Sequence, residues 1–284
     1  MTGVEGKRSL LKIGKVPYSN LFPIFYILEK QCDCSGYEFI EGFPSTLNWL
    51  LRSGQIDISP SSSIEYLRYK NKYTFIKGHS ISSKGPVGSI LLLSRRPIEE
   101  LEGKTVLTSS QSETSVVLLD VILKKFYKIE CPLKPTDEKV DLLLNKAGAF
   151  LSIGDDALKA RKIVTSHTLG WGDIYIYDLG DLWYRNTGLP FVFALWIVRK
   201  GCFTEKAELL KRFIHDLNKA KGLAMENLDK IAQALRPLLL SRYSLIITEE
   251  ELIPYWKGIS YDFIEEHERG LKLFRRYSEE LGLL

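Results

Sequence analysis

Polar residues suited to holding a small anion recur in five short stretches of this 284-residue chain. They are Tyr18-Ser19-Asn20, Ser59-Pro60-Ser61-Ser62-Ser63, Gly85-Pro86-Val87-Gly88-Ser89, Ser109-Ser110-Gln111-Ser112-Glu113-Thr114-Ser115 and Ile153-Gly154-Asp155-Asp156. All five fall at the ends of predicted strands, and most open a helical pattern. Free N–H groups and the positive end of a helix dipole favour a negative ligand, and hydroxyls add further donors. The candidate contacts are Ser19, Asn20, Ser61, Ser62, Ser89, Ser112, Thr114, Ser115, Gly154 and Asp155. Each stretch also has a purely structural reading. Ser62 to Glu65 and Ser110 to Glu113 match capping boxes, Asn20 fits a turn, and Asp155 fits the N-cap of the helix after it. Five such turns in one chain argue for a cleft that takes a small carboxylate.

Signatures of other chemistries are absent from the sequence. It has no G-x-S-x-G elbow, no phosphate-binding P-loop, no H-E-x-x-H and no G-x-G-x-x-G. His79 and His167 are predicted in loops, and His215 and His267 on the surface of helices. None has a neighbour that marks it as a general base. The pair Cys32 and Cys34 has no histidine near it in sequence and is a weak metal signal. Trp171, Trp183 and Trp196 read as core or cleft wall.

The elements that would position the five turns alternate. Strands are predicted near Leu11–Val16, Tyr37–Ile40, Ile56–Ser59 and Tyr73–Ile76, with helical patterns at Leu21–Lys30, Ser45–Arg52 and Ser62–Tyr69. A second series follows: a strand at Thr105–Thr108, a helix at Thr114–Tyr127, a strand at Ala149–Ile153 and a helix at Asp156–Lys162. The alternation predicts α/β architecture with largely parallel sheets. Two long apolar runs, Val87–Leu93 and Phe191–Val198, read as crossover strands between two lobes. The expected lobes are 1–93 with 195–284, and 94–194. From Glu205 onward the pattern is helical, and Thr248 with Glu251 marks one helix start by a capping box.

Composition sets outer limits. Apolar residues make up 45% and charged residues 26%, enough for a substantial buried core. The formal net charge of +4 is dispersed, so nothing asks for nucleic acid. No apolar run reaches the length of a membrane span, and the N-terminal residues lack a secretory pattern. A cytoplasmic protein with four reduced cysteines is the expectation.

Six stretches together resemble the chorismate dehydratases, the first enzymes of the futalosine route to menaquinone. They are VPYSNLFP, STLNWLLRSGQIDISPSSSIEYL, KGPVGSILLLS, SSQSETSVVLLDVIL, FLSIGDDAL and YDLGDLWYRNTGLPFVFALW. The last, with its Thr-Gly-Leu-Pro-Phe-Val-Phe-Ala run, is the most specific. The resemblance spans roughly Lys12 to Lys200, while the helical C-terminal third carries little that is diagnostic.

The resemblance implies a type II periplasmic-binding-protein-like fold, with two α/β lobes, two crossover strands and a ligand cleft between them. It implies a cytoplasmic lyase that eliminates water from chorismate and uses no cofactor or metal. It carries a functional asparagine onto Asn20 and substrate-contacting serines onto Ser62 and Ser89. Ser112, Thr114 and Ser115 fall at the anion site of the second lobe. Ser59 and Ser61 depart from the family pattern and would make the pocket wall more polar. An amide and hydroxyls are poor bases, so the enolpyruvyl carboxylate of the substrate is the expected proton acceptor, in keeping with the resemblance. Two other readings stay open: a small-carboxylate binding protein of the same fold, and the sister enzyme 1,4-dihydroxy-6-naphthoate synthase, for which a cleft histidine is expected.

Overall fold

The computed structural model describes residues 10–138, 148–165, 174–243 and 248–284. His167 and Trp171 lie outside them. Two five-stranded sheets organise the chain. The first has the order β2 (Tyr37–Glu41), β1 (Leu11–Lys15), β3 (Ile58–Ser62), β10 (Phe191–Arg199) and β4 (Tyr73–Ser83). The second has β7 (Leu133–Thr136), β6 (Val106–Ser109), β8 (Ala149–Ile153), β5 (Ile90–Ser94) and β9 (Tyr175–Asp178). Both sheets are mixed rather than largely parallel. β1 runs parallel to β2 and β3, and β6 to β7 and β8, whereas β10 and β5 run antiparallel to both of their neighbours.

The position of β5 and β10 explains their sequences. Each has a strand on either side and layers on both faces, so LLL and FVFALWIV carry no polar alternation. Their position also shifts the crossings. All of β5 lies in the second sheet and all of β10 in the first, so sheet membership changes at residues 84–89 and 188–190. The boundaries expected at 93/94 and 194/195 are each displaced from these points. The chain passes between sheets in Gly- and Pro-containing segments. The apolar strand is the first element of the sheet just entered.

Helices fill the layers: α1 (Phe22–Gln31), α2 (Pro44–Arg52), α3 (Ser63–Arg68), α4 (Glu113–Val121), α5 (Gly154–Thr165) and α6 (Leu179–Thr187). The predicted helix over Thr114–Tyr127 changes to a π-helical turn at Ile122–Tyr127 and stops at Lys128, whose φ is 60°. Strands β7 and β9 and helix α6 have no counterpart in the sequence expectations. After β10 come α7 (Cys202–Glu205), α8 (Ala207–Glu226), α9 (Leu228–Tyr243), α10 (Glu249–Gly258) and α11 (Glu265–Glu280). The expected cap is present, with Glu251 Oε2 accepting from Thr248 N at 2.7 Å. No helix among the described residues is long and apolar enough to cross a membrane, and the four cysteines are free thiols.

One large core runs through both sheets. Trp183, Trp196 and Trp256 are all buried in it. Trp183 of α6 packs edge-on against Phe191 at 5.2 Å and Phe274 at 6.1 Å, which joins the second sheet's helices to β10 and α11. Two histidines differ from expectation. His79 lies within β4, buried, with Nε2 2.9 Å from Asn218 Oδ1. His267 is buried in the first turn of α11, where Nδ1 accepts from Ile264 N at 3.3 Å.

Helix α11 approaches the second crossing without clearance. A Cβ on Gly270 would lie 2.1 Å from Pro190 O, a backbone atom that cannot swing aside. Gly222, inside α8, has open space around its Cβ position. The same substitution therefore has opposite signs at the two sites. Gly270→Ala should destabilise by about 1–3 kcal/mol through overpacking. Gly222→Ala should stabilise by roughly 0.5–1 kcal/mol through helix propensity. Thermal melts of both variants check this, and equal shifts of one sign would contradict the packing described.

Candidate active site

The four strands β1, β3, β6 and β8, each running parallel to its helix-connected neighbours, end at one place. The chain after each of them makes a turn toward a cavity of about 80 Å³ between the two sheets. Asn20, Ser62, Ser89, Ser112, Thr114, Ser115 and Gly154 line it, with Val16, Leu21, Ile81, Ile153 and Phe193 among the apolar walls. The space is well below the roughly 300–1,000 Å³ of an ordinary ligand site, so the lobes must part to admit one.

Hydrogen bonds across the cleft hold it shut. Tyr18 OH donates to Gln111 Oε1 at 2.6 Å, Ile64 N to Thr114 Oγ1 at 3.1 Å, and Arg68 Nη1 to Glu113 Oε2 at 2.9 Å. Ser19 gives its backbone N–H to Asp155 Oδ1 at 3.1 Å, and its hydroxyl donates to the same oxygen. Gly154 has φ +60°, and the Tyr18 ring lies 3.2 Å from where its Cβ would be. A side chain there would be strained and would also push the ring away.

The individual placements follow from local geometry. In β3 successive side chains alternate, so Pro60 and Ser62 face the cavity. Ser59 and Ser61 face the other way, fully buried, with Oγ atoms lacking a partner among the described residues. Ser61 is thus not on the wall, and neither serine makes the wall more polar. Ser62 also caps α3, accepting from Glu65 N at 3.4 Å, and receives Asn48 Nδ2 at 3.1 Å. In the fourth stretch the cap is Ser112, not Ser110. Its Oγ accepts from Ser115 N at 3.3 Å and donates to Ser115 Oγ at 2.9 Å. Thr114 and Ser115 lie in the first turn of α4, on the same cavity as Asn20.

Ser19 and Asp155 are brought together, but neither is among the wall residues. Asp155 is not an N-cap either, because α5 already begins at Gly154 and the carboxylate is turned to Ser19. Asn20 does face the cavity, and its Oδ1 is buried with no partner among the described residues. Buried acceptors are usually paired, and one left open on a cavity wall is available to a donor from a ligand.

Four further residues shape the site. Asp178 ties down the first crossing: Oδ1 accepts from Val87 N at 3.0 Å and Oδ2 from Gly88 N at 2.6 Å, next to Ser89. The same carboxylate caps α6 through Gly180 N at 2.9 Å. An Asp between a strand and a helix is a legible capping signal, but its second role is tertiary. Tyr18, Trp256 and Tyr261 also touch the site turns, and Trp256 and Tyr261 carry no local signal of it.

The two sheets and the cleft between them define a two-lobed α/β fold of the periplasmic-binding-protein type. The aliphatic sulphonate binding protein of Escherichia coli superposes with a TM-score of 0.65 over 97% of this chain and 88% of that one, at 15% identity, a likeness of fold. The chain belongs to the menaquinone biosynthesis family, whose model matches residues 11–280. It is 30% identical to the chorismate dehydratase of Thermus thermophilus over 95% of both chains. To the 1,4-dihydroxy-6-naphthoate synthase of the same organism it is 22% identical over 92% of this chain and 95% of the other.

Asp155 makes the closed cleft sensitive to pH. Burial pushes its carboxyl up to about 6, Ser19's hydrogen bonds oppose the rise, and the charge of Asp156 adds to it. A raised pKa means that the closed, folded state holds its proton more tightly than the open chain. The contribution to stability is full below the ordinary value near 3.9 and is lost as pH rises through about 6. The loss is on the order of 3 kcal/mol. Asp155→Asn removes it. The melting temperature of the variant relative to the parent should therefore rise by about 5 °C between pH 4 and 7. A difference that stays flat across this range would contradict the burial of a titrating carboxyl here.

Proposed function

We propose that this protein is a chorismate dehydratase, a hydro-lyase that removes water from chorismate to give 3-[(1-carboxyvinyl)oxy]benzoate in menaquinone biosynthesis. The observation that carries the reading is the make-up of the cavity wall, in a chain of this family. It offers one amide, six hydroxyls counting the Tyr18 phenol, and the N-terminus of α4, with no carboxylate, imidazole, guanidinium or ammonium group among its residues. Such a wall recognises carboxylates by neutral donors and helix N–H groups.

The reaction suits that wall. The electrons of the ring C3–H bond form the new C3–C4 π bond, the C4–O bond breaks, and the ring becomes aromatic. Aromatisation supplies driving force, so the protein's task is orientation. The enolpyruvyl carboxylate takes the C3 proton and returns it to the departing hydroxide, which leaves as water. Asn20 holds the substrate for this transfer through an amide with two donors and one free acceptor. Ser112, Thr114 and Ser115 take the ring carboxylate at the start of α4. Ser62 and Ser89 face the departing hydroxyl. Closure about residues 84–89 and 188–190 excludes water while this happens. The free thiols support a cytoplasmic setting.

The alternatives have less support. A pure carboxylate-binding protein shares the fold but not the family. In the naphthoate synthase reading a histidine would belong in the cleft. None lines the cavity among the described residues, and His79 and His267 are engaged elsewhere.

Purified protein incubated with chorismate should yield a product lighter by one water on mass analysis. Asn20→Ala should lower kcat by roughly 10²- to 10³-fold, with binding retained in part through the α4 end. Chorismate bound but unchanged by the parent protein would leave the pure binding reading standing.

A further inference from the structure

The Ser19–Asn20 turn is a single 3₁₀ turn, Ser19–Leu21, and no side chain caps its start. Asn20's side-chain oxygen has no protein partner among the described residues, so no hydrogen bond to that atom sets the direction of the amide. The backbone beneath it must do so. Both carbonyls of that backbone are held from the C-terminal third of the chain. Trp256 Nε1 donates to Ser19 O at 2.9 Å, and Tyr261 OH donates to Asn20 O at 2.6 Å. The two rings are buried. The backbone at Tyr261 is fixed in turn. Ser260 and Ser82 exchange hydrogen bonds of 2.8 and 3.0 Å in a bridge to the edge of β4, and Ser80 N donates to Tyr261 O at 3.1 Å.

We propose that Tyr261 and Trp256 are positioning residues for Asn20: by holding the two carbonyls of its turn they aim a carboxamide that the protein leaves otherwise free. The functional half of this rests on Asn20 acting on the substrate as described above. The structural half does not. Asp155 reaches the same turn from the opposite lobe through Ser19 N, so the turn is held on three sides when the cleft is closed. Opening releases the Asp155 contact and leaves the two aromatic ones, which belong to the same lobe as Asn20. The amide is therefore aimed before substrate arrives, which spares the closed complex the ordering of that group.

Tyr261→Phe removes one hydroxyl and keeps the ring in the core, so it is the first variant to make. Trp256→Phe is the second. Two readings of Tyr261→Phe decide the matter. The side-chain amide signals of Asn20 in ¹⁵N-labelled protein are identified as the pair missing in Asn20→Ala. In ligand-free Tyr261→Phe they should shift and broaden, while resonances of the second lobe stay in place. Unmoved signals would overturn the proposal whatever the substrate is. With chorismate, Tyr261→Phe should lower kcat by roughly tenfold to a hundredfold with KM changed little. In an Asn20→Ala background the same change should cost almost nothing further. Additive losses would assign Tyr261 a role independent of Asn20 and overturn the functional half. If the parent protein does not turn over chorismate, the reading of its reaction fails, and the amide signals still decide the positioning.

Discussion

The pairing of Ser19 with Asp155 is the contact around which the closed molecule is arranged. It joins the turn after β1 to the start of α5, one from each sheet, and it buries a carboxylate to do so. Such burial is costly unless every acceptor is used, and here Ser19 supplies both an N–H and an O–H. Satisfying that carboxylate fixes how close the lobes come. That distance then brings Tyr18 against Gly154 and sets the cavity between Asn20 and the end of α4. The pairing also explains why the most obvious charged candidate lies off the cavity wall. Its carboxyl group anchors the closed geometry, and the wall itself holds no charged side chain.

A neutral wall has a chemical consequence. A base on the wall would need its own compensating charges, and these would compete for a dianionic substrate. Hydroxyls, an amide and helix N–H groups bind carboxylates without that conflict. In the proposed reaction they leave the proton transfer to a group the substrate brings with it. Aim then matters more than pKa, and the aromatic side chains that hold the Ser19–Asn20 carbonyls belong to the same design.

Much of this was legible in the sequence because it rests on local rules. β1, β2, β8 and β10 lie within a residue of their apolar runs, and the five turns were marked by Ser, Gly and Asn at strand ends. Ser62, Ser89, Ser112, Thr114 and Ser115 meet at one cavity as those positions suggested. What escaped depends on pairing. The alternation of β3 excludes Ser61, and it could be read only once the strand was known to run from Ile58 to Ser62 instead of stopping at Ser59. β9 and α6 sit in a segment whose polar and aromatic mixture gives no clear period. Asp155's partner lies 136 residues away, and Tyr261's 241. No local pattern encodes contacts of that range, so a C-terminal third that looked undiagnostic proved to hold the turn of the catalytic candidate.

In the proposed mechanism the substrate's own carboxylate takes the proton inside a wall without a base. An analogue of chorismate with the enolpyruvyl carboxylate replaced by its carboxamide tests it most directly. This analogue should compete with chorismate for the closed cleft and yet not be dehydrated. Dehydration of the analogue at a rate comparable with chorismate would place the base on the protein and contradict a substrate-assisted transfer.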